Sequence, residues 1–394
     1  MMNRGAGNDP EPEVSVVIPC LNEADTLGVC LDKARHSLTE AGIQHELIVA
    51  DNGSTDASIG IAESKGARVV PVTERGYGAA LMGGIGAAKG RFVIMGDADD
   101  SYDFRECPKF VERLRQGADL VQGCRLPSGG GTVLPGAMPW SHRWIGNPLF
   151  SFLARRWFGA PIHDVYCGLR GFSRATYHRL RLKSTGMEFA TEMIIKSALQ
   201  KIRFDEVPIV LHPDGRKAHA PHLKTVRDGW RTLRLLLMCS PNWLFILPGF
   251  LLMAAGGLGF VMALSGKPLG SISLDAHTLL FSSAFLQCGY LAVAFSFIIK
   301  SIAFKCGLRT APPSPRFLYG WFRLERGLLA GLLLALVGLG VMFLMFWTWA
   351  KGGFGDLDYS NTMRVAIPSV TLLSLGVQTG FLSFFKDSIE MLRD

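Results

Sequence analysis

The sequence predicts an α/β domain built on a largely parallel sheet, joined to a membrane half of four transmembrane helices. Three observations carry this. From residue 14 to residue 123, short β-branched runs alternate with segments of helical period, a pattern that builds parallel sheets with a ligand crevice at the carboxyl ends of the strands. From residue 243 onward, four long apolar runs are separated by polar connections. Between these, Gly96-Asp97-Ala98-Asp99 closes the apolar run Phe92-Val93-Ile94-Met95. Two carboxylates one residue apart, where a buried strand meets a loop, can hold one divalent ion through hard oxygen ligands, and that is one way to grip a nucleoside diphosphate.

Met1 to Glu13 is polar, rich in Gly, Pro and Glu, and is expected to be a disordered tail without the apolar core of a signal peptide. Val14 to Pro19 is a strand ended by proline. Leu27, Leu31, Ala34 and Leu38 then set a helix over 23–41. The cycle repeats with a strand at 46–50, a turn at 51–56, a helix at 57–65 and a strand at 68–72. A helix at 79–88 leads into the strand before Asp97, and another starts near Glu106. Asp100 and Asp103 make the acidic cluster self-repelling unless a cation or proton relieves it. Residues 119–123 form a further strand, followed by Cys124-Arg125 and a Gly- and Pro-rich loop to Pro139. Asn22, Glu23, Asp51 and Asp97 all fall at the carboxyl ends of strands.

A chain of 394 residues has room for two or three domains, and 48% apolar residues is high for a purely soluble enzyme. The excess lies in residues 243–264, 279–299, 328–350 and 365–385, which lack Asp, Glu, Lys, Arg and His and are long enough to cross a bilayer. The net charge of +8 does not mark a nucleic-acid binder, because the basic residues gather beside the spans. Arg216, Lys217, Lys224, Arg227, Arg231 and Arg234 precede the first span, and six more lie between the second and third. By the positive-inside rule the large domain and both termini are cytoplasmic and the chain is integral to the cytoplasmic membrane. Eight cysteines without a C-x-x-C pair indicate neither a zinc site nor a disulfide framework. Residues 223–240 read as an amphipathic juxtamembrane helix, with Trp230 among its apolar residues and Lys224, Arg227, Arg231 and Arg234 as a basic stripe toward the lipid. Ordinary positive-inside bias would give the same stripe. Asn147 to Phe158 is also amphipathic, suited either to the membrane surface or to a core. Glycines such as Gly256, Gly257, Gly338 and Gly340 permit close helix approach or a homo-oligomer.

Val16-Val17-Ile18-Pro19-Cys20-Leu21-Asn22-Glu23, Asp51-Asn52-Gly53-Ser54-Thr55-Asp56 and Asp97-Ala98-Asp99 resemble the three nucleotide-site motifs of GT-A fold, family 2 glycosyltransferases. Within that family the similarity points to polyprenyl-phosphate glycosyltransferases, the dolichol-phosphate mannose and glucose synthases and their bacterial relatives. It covers residues 14–240, with the GT-A domain itself ending near 222. The resemblance implies that Asp51 binds the nucleobase and that Pro19, Asn22, Glu23, Gly78 and Ala98 line the nucleotide-sugar pocket. Asp97 and Asp99 would hold ribose, diphosphate and a divalent metal, Mg2+ or Mn2+. Ser101 stands where relatives often carry a third polar ligand, leaving Asp100 or a water to compensate.

The same resemblance makes Arg125 the counterpart of an arginine that faces the diphosphate, and places Asp164 and Arg170, in an Asp-x-x-x-Gly-x-Arg segment, near the acceptor, with Asp164 nearest the attacking oxygen. Arg125 and Arg170, with Arg216 and Lys217 from their place at the end of the domain, are the candidate ligands of the acceptor phosphate. A polyprenyl phosphate is already ionised at neutral pH, so Asp164 is expected to orient the acceptor more than to deprotonate it. Each reading has a structural counterpart: an Asx turn at Asp51, a helix-end charge at Glu23, simple packing at Gly78, a surface arginine at Arg125, and a buried Asp164–Arg170 pair. Glu188, Glu192 and Lys196 share a helical spacing expected to be structural, with Glu188 approaching the sugar. The expected reaction moves one sugar, with inversion, from a nucleotide-sugar to polyprenyl phosphate at the cytoplasmic face. UDP-glucose is the first choice of donor and GDP-mannose the next, because His212-Pro213-Asp214-Gly215 is more similar to glucosyl members. The alternatives are a processive polysaccharide synthase and, from another class, a lipid-linked-sugar flippase or inactive scaffold.

Overall fold

The computed structural model describes residues 11–217, 225–265, 274–305 and 323–391. The chain divides into two compact units, Met1–Leu236 and Leu237–Asp394.

In the first unit the alternating pattern becomes β1 (Val14–Cys20), α1 (Leu27–Glu40), β2 (His45–Asp51), α2 (Ser58–Ser64), β3 (Arg68–Pro71), α3 (Tyr77–Ala87) and β4 (Phe92–Met95). After them come α4 (Cys107–Arg115), β5 (Leu120–Cys124), β6 (Thr132–Val133), α5 (Asn147–Phe158), β7 (Arg170–Ser173), α6 (Arg174–Leu180), α7 (Phe189–Leu199), β8 (Phe204–Pro208), β9 (Val210–Leu211) and α8 (Thr225–Cys239). Among the described residues the main sheet has seven strands in the order β3-β2-β1-β4-β7-β5-β8. Every pairing is parallel except those of β7, which runs antiparallel between β4 and β5. The period-two pleat sorts the core onto two faces. Val14, Val16 and Ile18 pack with Leu27, Leu31 and Phe110 on one side, while Val17, Val93 and Met95 pack with Leu81, Ile85 and Met193 on the other. Helix α1 starts later than its apolar spacing suggests because residues 23 and 24 turn toward the next loop. Glu23 N donates to Ser58 Oγ (2.9 Å) and Ala24 N to Asp56 Oδ2 (3.1 Å).

In the second unit α9 (Leu247–Ser265) pairs with α10 (Ala276–Lys305), and α11 (Leu324–Lys351) with α12 (Tyr359–Met391). Four helices, at Asn242–Ser265, Ala276–Phe304, Leu324–Lys351 and Tyr359–Ile389, are long and apolar enough to cross a membrane. Gly256 lies against Ser282 and Leu286, and Gly338 against Ser369 and Leu373, so these glycines serve close approach within the chain. Gly257 and Gly340 face open space. Helices α10 and α12 are tied by polar groups: Ser283 and Thr371 hydroxyls meet at 2.6 Å, Ser374 donates to Gln287 (2.6 Å), and Tyr290 and Thr379 hydroxyls meet at 2.6 Å.

Candidate active site

Chain order reverses at β1: β2 and β3 lie on one side of it and β4 on the other. At such a switch point the loops beyond the carboxyl ends diverge and leave a crevice. Cys20, the last residue of β1, is in register with Asp51, the last of β2, and Asp97 follows the end of β4 by two residues. The three resembling motifs are thereby brought to one edge of the sheet.

Asp51 is buried, and its Oδ2 and Oδ1 accept from the backbone N–H groups of Gly53 and Ser54, both at 3.1 Å. This is the Asx turn, and it fixes the carboxylate while leaving lone pairs unused. Asn22 takes a left-handed φ of 60°, receives the Thr55 N–H on Oδ1 at 2.8 Å and donates its own N–H to Ser54 Oγ at 3.0 Å. The loops after β1 and β2 are thus bound to each other. Pro19, in register with Ala50, is partly exposed at the rim.

Asp97 and Asp99 are both partly open. The Tyr77 hydroxyl donates to Asp97 Oδ1 at 2.7 Å. Burial, and then the like charge of Asp99, push the Asp97 carboxyl up to about 6. Asp99 Oδ1 accepts from Ser101 N (3.0 Å) and Ser101 Oγ (2.6 Å), and its Oδ2 pairs with Arg216 Nη2 at 3.1 Å. The guanidinium also reaches Glu23 Oε1 (3.0 Å) and Asp214 Oδ2 (2.7 Å). Burial opposes its charge, but Asp214, Asp99 and Glu23 hold its pKa above the ordinary value.

The donor set suits a hard divalent cation. Two carboxylates one residue apart, with Glu23 and Asp214 sharing the same single guanidinium, are a site short of positive charge, and a magnesium-like ion commonly takes one or two carboxylates with the rest of its ligands from phosphate and water. Ser101 acts on Asp99, to which its hydroxyl donates. Asp100 does not compensate for the missing ligand: its left-handed backbone (φ 57°) turns the carboxylate to Lys33 Nζ, 2.7 Å away.

Several expectations are corrected by burial. Arg125 and Asp164 come together as one buried pair, with Nε–Oδ2 at 2.7 Å and Nη2–Oδ1 at 2.9 Å. Asp164 is fully buried and also accepts from the Arg125 and Tyr166 N–H groups, so neither oxygen faces an acceptor. Arg125 spends its remaining Nη1 on the Tyr102 hydroxyl (3.2 Å), and is not presented to a phosphate. Arg170 is fully buried, and its guanidinium donates to the carbonyls of Cys167 (2.9 Å), Val165 (2.9 Å) and Ala190. It therefore neither pairs with Asp164 nor contacts a phosphate. Gly78 is covered by protein: a Cβ there would collide with the Ser184 carbonyl and come within 2.8 Å of Phe189 Cβ. The Ala98 side chain packs in the core, leaving only its backbone near the crevice. Lys217 is exposed, with its N–H on Asp25 Oδ2 at 3.0 Å.

Glu192 is structural, as its spacing with Lys196 suggests. It pairs with Lys196 Nζ at 2.7 Å and accepts the N–H groups of Lys183 (3.0 Å) and Ser184 (2.8 Å), fixing the loop that covers Gly78. Glu188 Oε2 is buried with no hydrogen-bond partner among the described residues. Sequence reasoning missed Tyr77, although its place between Gly76 and Gly78 at a helix start is a signal for a side chain held over the crevice. It also missed Gln122, buried and donating to the carbonyls of Asp164 and Cys167, both at 3.0 Å.

Large apolar side chains are exposed at Trp140, Trp144, Ile145, Leu149 and Phe152, with Arg143 stacked over Trp144 at 5.3 Å. Asn147–Phe158 is therefore no simple core helix. On α8, Val226 and Trp230 are exposed with Arg227, Arg231 and Arg234, whereas Asp228 and Thr232 are buried. Lys224 lies outside the described residues.

Comparison with known proteins bears on the whole chain. Residues 15–181 match the family model described as glycosyl transferase family 2, and residues 297–390 match that of the glycosyltransferase family 2 C-terminal transmembrane region. The low-salt glycan biosynthesis hexosyltransferase Agl6 of Haloferax volcanii is 34% identical over 385 residues, covering 98% of this chain and 91% of that protein. The dolichyl-phosphate hexose transferase of the same organism is 31% identical over 198 residues, 50% of this chain and 82% of that one. A solved glucosyl-3-phosphoglycerate synthase from Mycobacterium tuberculosis, in complex with Mn2+, UDP and glucosyl-3-phosphoglycerate, is 23% identical with a TM-score of 0.45, covering 58% of this chain and 80% of that one.

Proposed function

Because the chain belongs to glycosyl transferase family 2 and is a glycosyltransferase with a transmembrane region, we propose that it transfers one hexose from a nucleotide-sugar to polyprenyl phosphate. UDP-glucose is the preferred donor and GDP-mannose the next. The observation that carries the reading is the Asp97–Asp99 pair at the switch point beside Asp51, in a chain similar along its length to a hexosyltransferase. Similarity to a second relative, a dolichyl-phosphate hexose transferase, supports a polyprenyl-phosphate acceptor.

Asp51, held by its turn, receives the nucleobase, with Pro19, Asn22 and Glu23 around it. Asp97 and Asp99 hold a divalent ion, Mg2+ or Mn2+. When bound, such an ion neutralises charge on the leaving nucleoside diphosphate. Tyr77 keeps Asp97 oriented by its hydrogen bond, and Arg216 offers a planar fork to phosphate oxygens. The acceptor phosphate is itself the nucleophile and needs no base, so the displacement is a single in-line step with inversion. Asp164 acts at a distance, by fixing Arg125 and the loop from residue 163 to 168. The basic connections favour a cytoplasmic catalytic domain, with the exposed aromatic residues of 140–152 and the α8 stripe against the bilayer surface.

The test is incubation of the purified full chain in detergent with polyprenyl phosphate, Mg2+ or Mn2+ and a panel of nucleotide-sugars, followed by mass spectrometry of the lipid. A single sugar on the lipid, lost with chelator and in Asp99→Asn, is expected. Products that lengthen with time, or none from any donor while the protein stays folded, would overturn it.

A further inference from the structure

We propose that Arg216 is the resident counter-cation of the acidic crevice, and that it exchanges Asp99 for the donor's diphosphate so that divalent ion and nucleotide enter together. This rests on the metal-dependent transferase reading. The guanidinium bridges carboxylates from three separate segments: Glu23 beyond β1 (3.0 Å), Asp99 beyond β4 (3.1 Å) and Asp214 beyond β9 (2.7 Å). Its backbone is laid across the same edge of the sheet. His212 N donates to the Ser101 carbonyl (2.9 Å), Gly215 N to the Asp99 carbonyl (2.9 Å) and Lys217 N to Asp25 Oδ2 (3.0 Å). A residue tied on both sides by its neighbours' backbone, with a long side chain at the centre, can change partners without moving the strap.

The polar contacts of the two aspartates give the consequence. Asp97 Oδ1 is engaged by Tyr77, Asp99 Oδ1 by Ser101, and Asp99 Oδ2 by Arg216. No group of three or more His, Cys, Asp or Glu side chains among the described residues gathers to hold an ion. A free divalent ion therefore meets two carboxylates, one already neutralised by a guanidinium that repels the newcomer. A nucleoside diphosphate changes both terms: it supplies further hard oxygens to the ion and a planar anion to the guanidinium, which binds phosphate in a forked manner. Ion and nucleotide then bind with positive coupling, and linkage makes that coupling reciprocal. Arg216 is a positioning residue in this scheme, and it sets the order of loading.

The experiment measures Mn2+ binding to the full chain in detergent by electron paramagnetic resonance of the unbound ion, without acceptor and without turnover. Wild type is expected to bind Mn2+ weakly alone and at least tenfold more tightly with UDP. Arg216→Gln and Arg216→Met are expected to bind Mn2+ alone at least tenfold more tightly than wild type and to gain less from UDP, while Arg216→Lys, which keeps the charge, stays near wild type. Thermal unfolding of each variant reports its fold, and the two neutral variants fill the space differently, so one folded variant suffices. Equal or weaker Mn2+ affinity in both neutral variants would overturn the exchange while leaving the metal reading in place. Failure of wild type to bind Mn2+ with either UDP or GDP would overturn the metal reading itself.

Discussion

Replacing Asp164 by Asn separates a structural carboxylate from a chemical one. Asp164 is fully buried, accepts three hydrogen bonds from Arg125 and one from the Tyr166 N–H, and faces an arginine side chain only 9% exposed. Burial works against the Arg125 charge, and Asp164 outweighs it, holding that side chain well above the usual arginine range. The substitution keeps the shape but leaves a buried cation without its counter-ion, which costs about 3–5 kcal/mol. In a unit the size of Met1–Leu236 each kcal/mol is worth about 2–4 °C, so unfolding of the catalytic domain should fall by roughly 6–20 °C. The assay is differential scanning fluorimetry of the full chain in detergent, with kcat measured well below the transition. A double substitution, Asp164→Leu with Arg125→Met, should recover much of the loss, because removing both charges also removes their desolvation. If Asp164→Asn unfolds within about 1 °C of wild type yet loses activity, a chemical role for the carboxylate replaces this account.

Three further outcomes follow from the same packing. Gly78→Ala should lower thermal stability and raise KM for the donor, since its Cβ meets the Ser184 and Gly186 carbonyls, which are backbone and cannot rotate away; unchanged stability would mean that this loop is loosely held. Glu192 has its pKa lowered, burial being outweighed by Lys196 and by the N–H groups of Ser184 and Lys183. A carboxyl depressed in the folded state contributes stability above its ordinary value near 4.5 and loses it as pH falls through the folded value. Glu192→Gln should therefore be destabilised by about 1–3 kcal/mol at pH 7 and converge with wild type in acid, read from denaturation curves at several pH values; a gap constant with pH refutes the pairing. Trp140→Ser with Trp144→Ser should weaken tryptophan quenching by brominated lipids and raise KM for a long-chain acceptor more than for a short, water-soluble one. Equal effects on both acceptors would place these side chains in the chemistry.

The fold was legible because each of its rules is local. Alternating strands and helices, the strand before Asp97 and the four apolar runs follow from periodicity and length, and the helices of the second unit lie where those runs do. The antiparallel strand β7 was not legible: Arg170-Gly171-Phe172-Ser173 is too short and polar to announce itself, and its pairing with Phe92–Met95 is a contact across some 80 residues. At the site, motif spacing brought Asp51, Asp97 and Glu23 to one edge correctly. It could not assign partners. Which arginine meets which carboxylate depends on tertiary placement, and Arg125, Arg170 and Arg216 are equivalent in composition while differing entirely in surroundings.

Those surroundings sort the carboxylates by what remains for them to do. Asp164 has both oxygens satisfied in a site closed to water, so a substrate gains nothing by approaching it. Asp97 and Asp99 repel one another at a partly open edge, and one of them relies on a cation borrowed from the far end of the domain. A buried pair is finished chemistry. A partly open pair that shares one guanidinium with two further carboxylates has too little positive charge, and on the proposed reading a bound ligand supplies it. The same residue types therefore serve as buried scaffold in one place and stand at a partly open edge in another, and the difference lies in which hydrogen bonds the fold has already made.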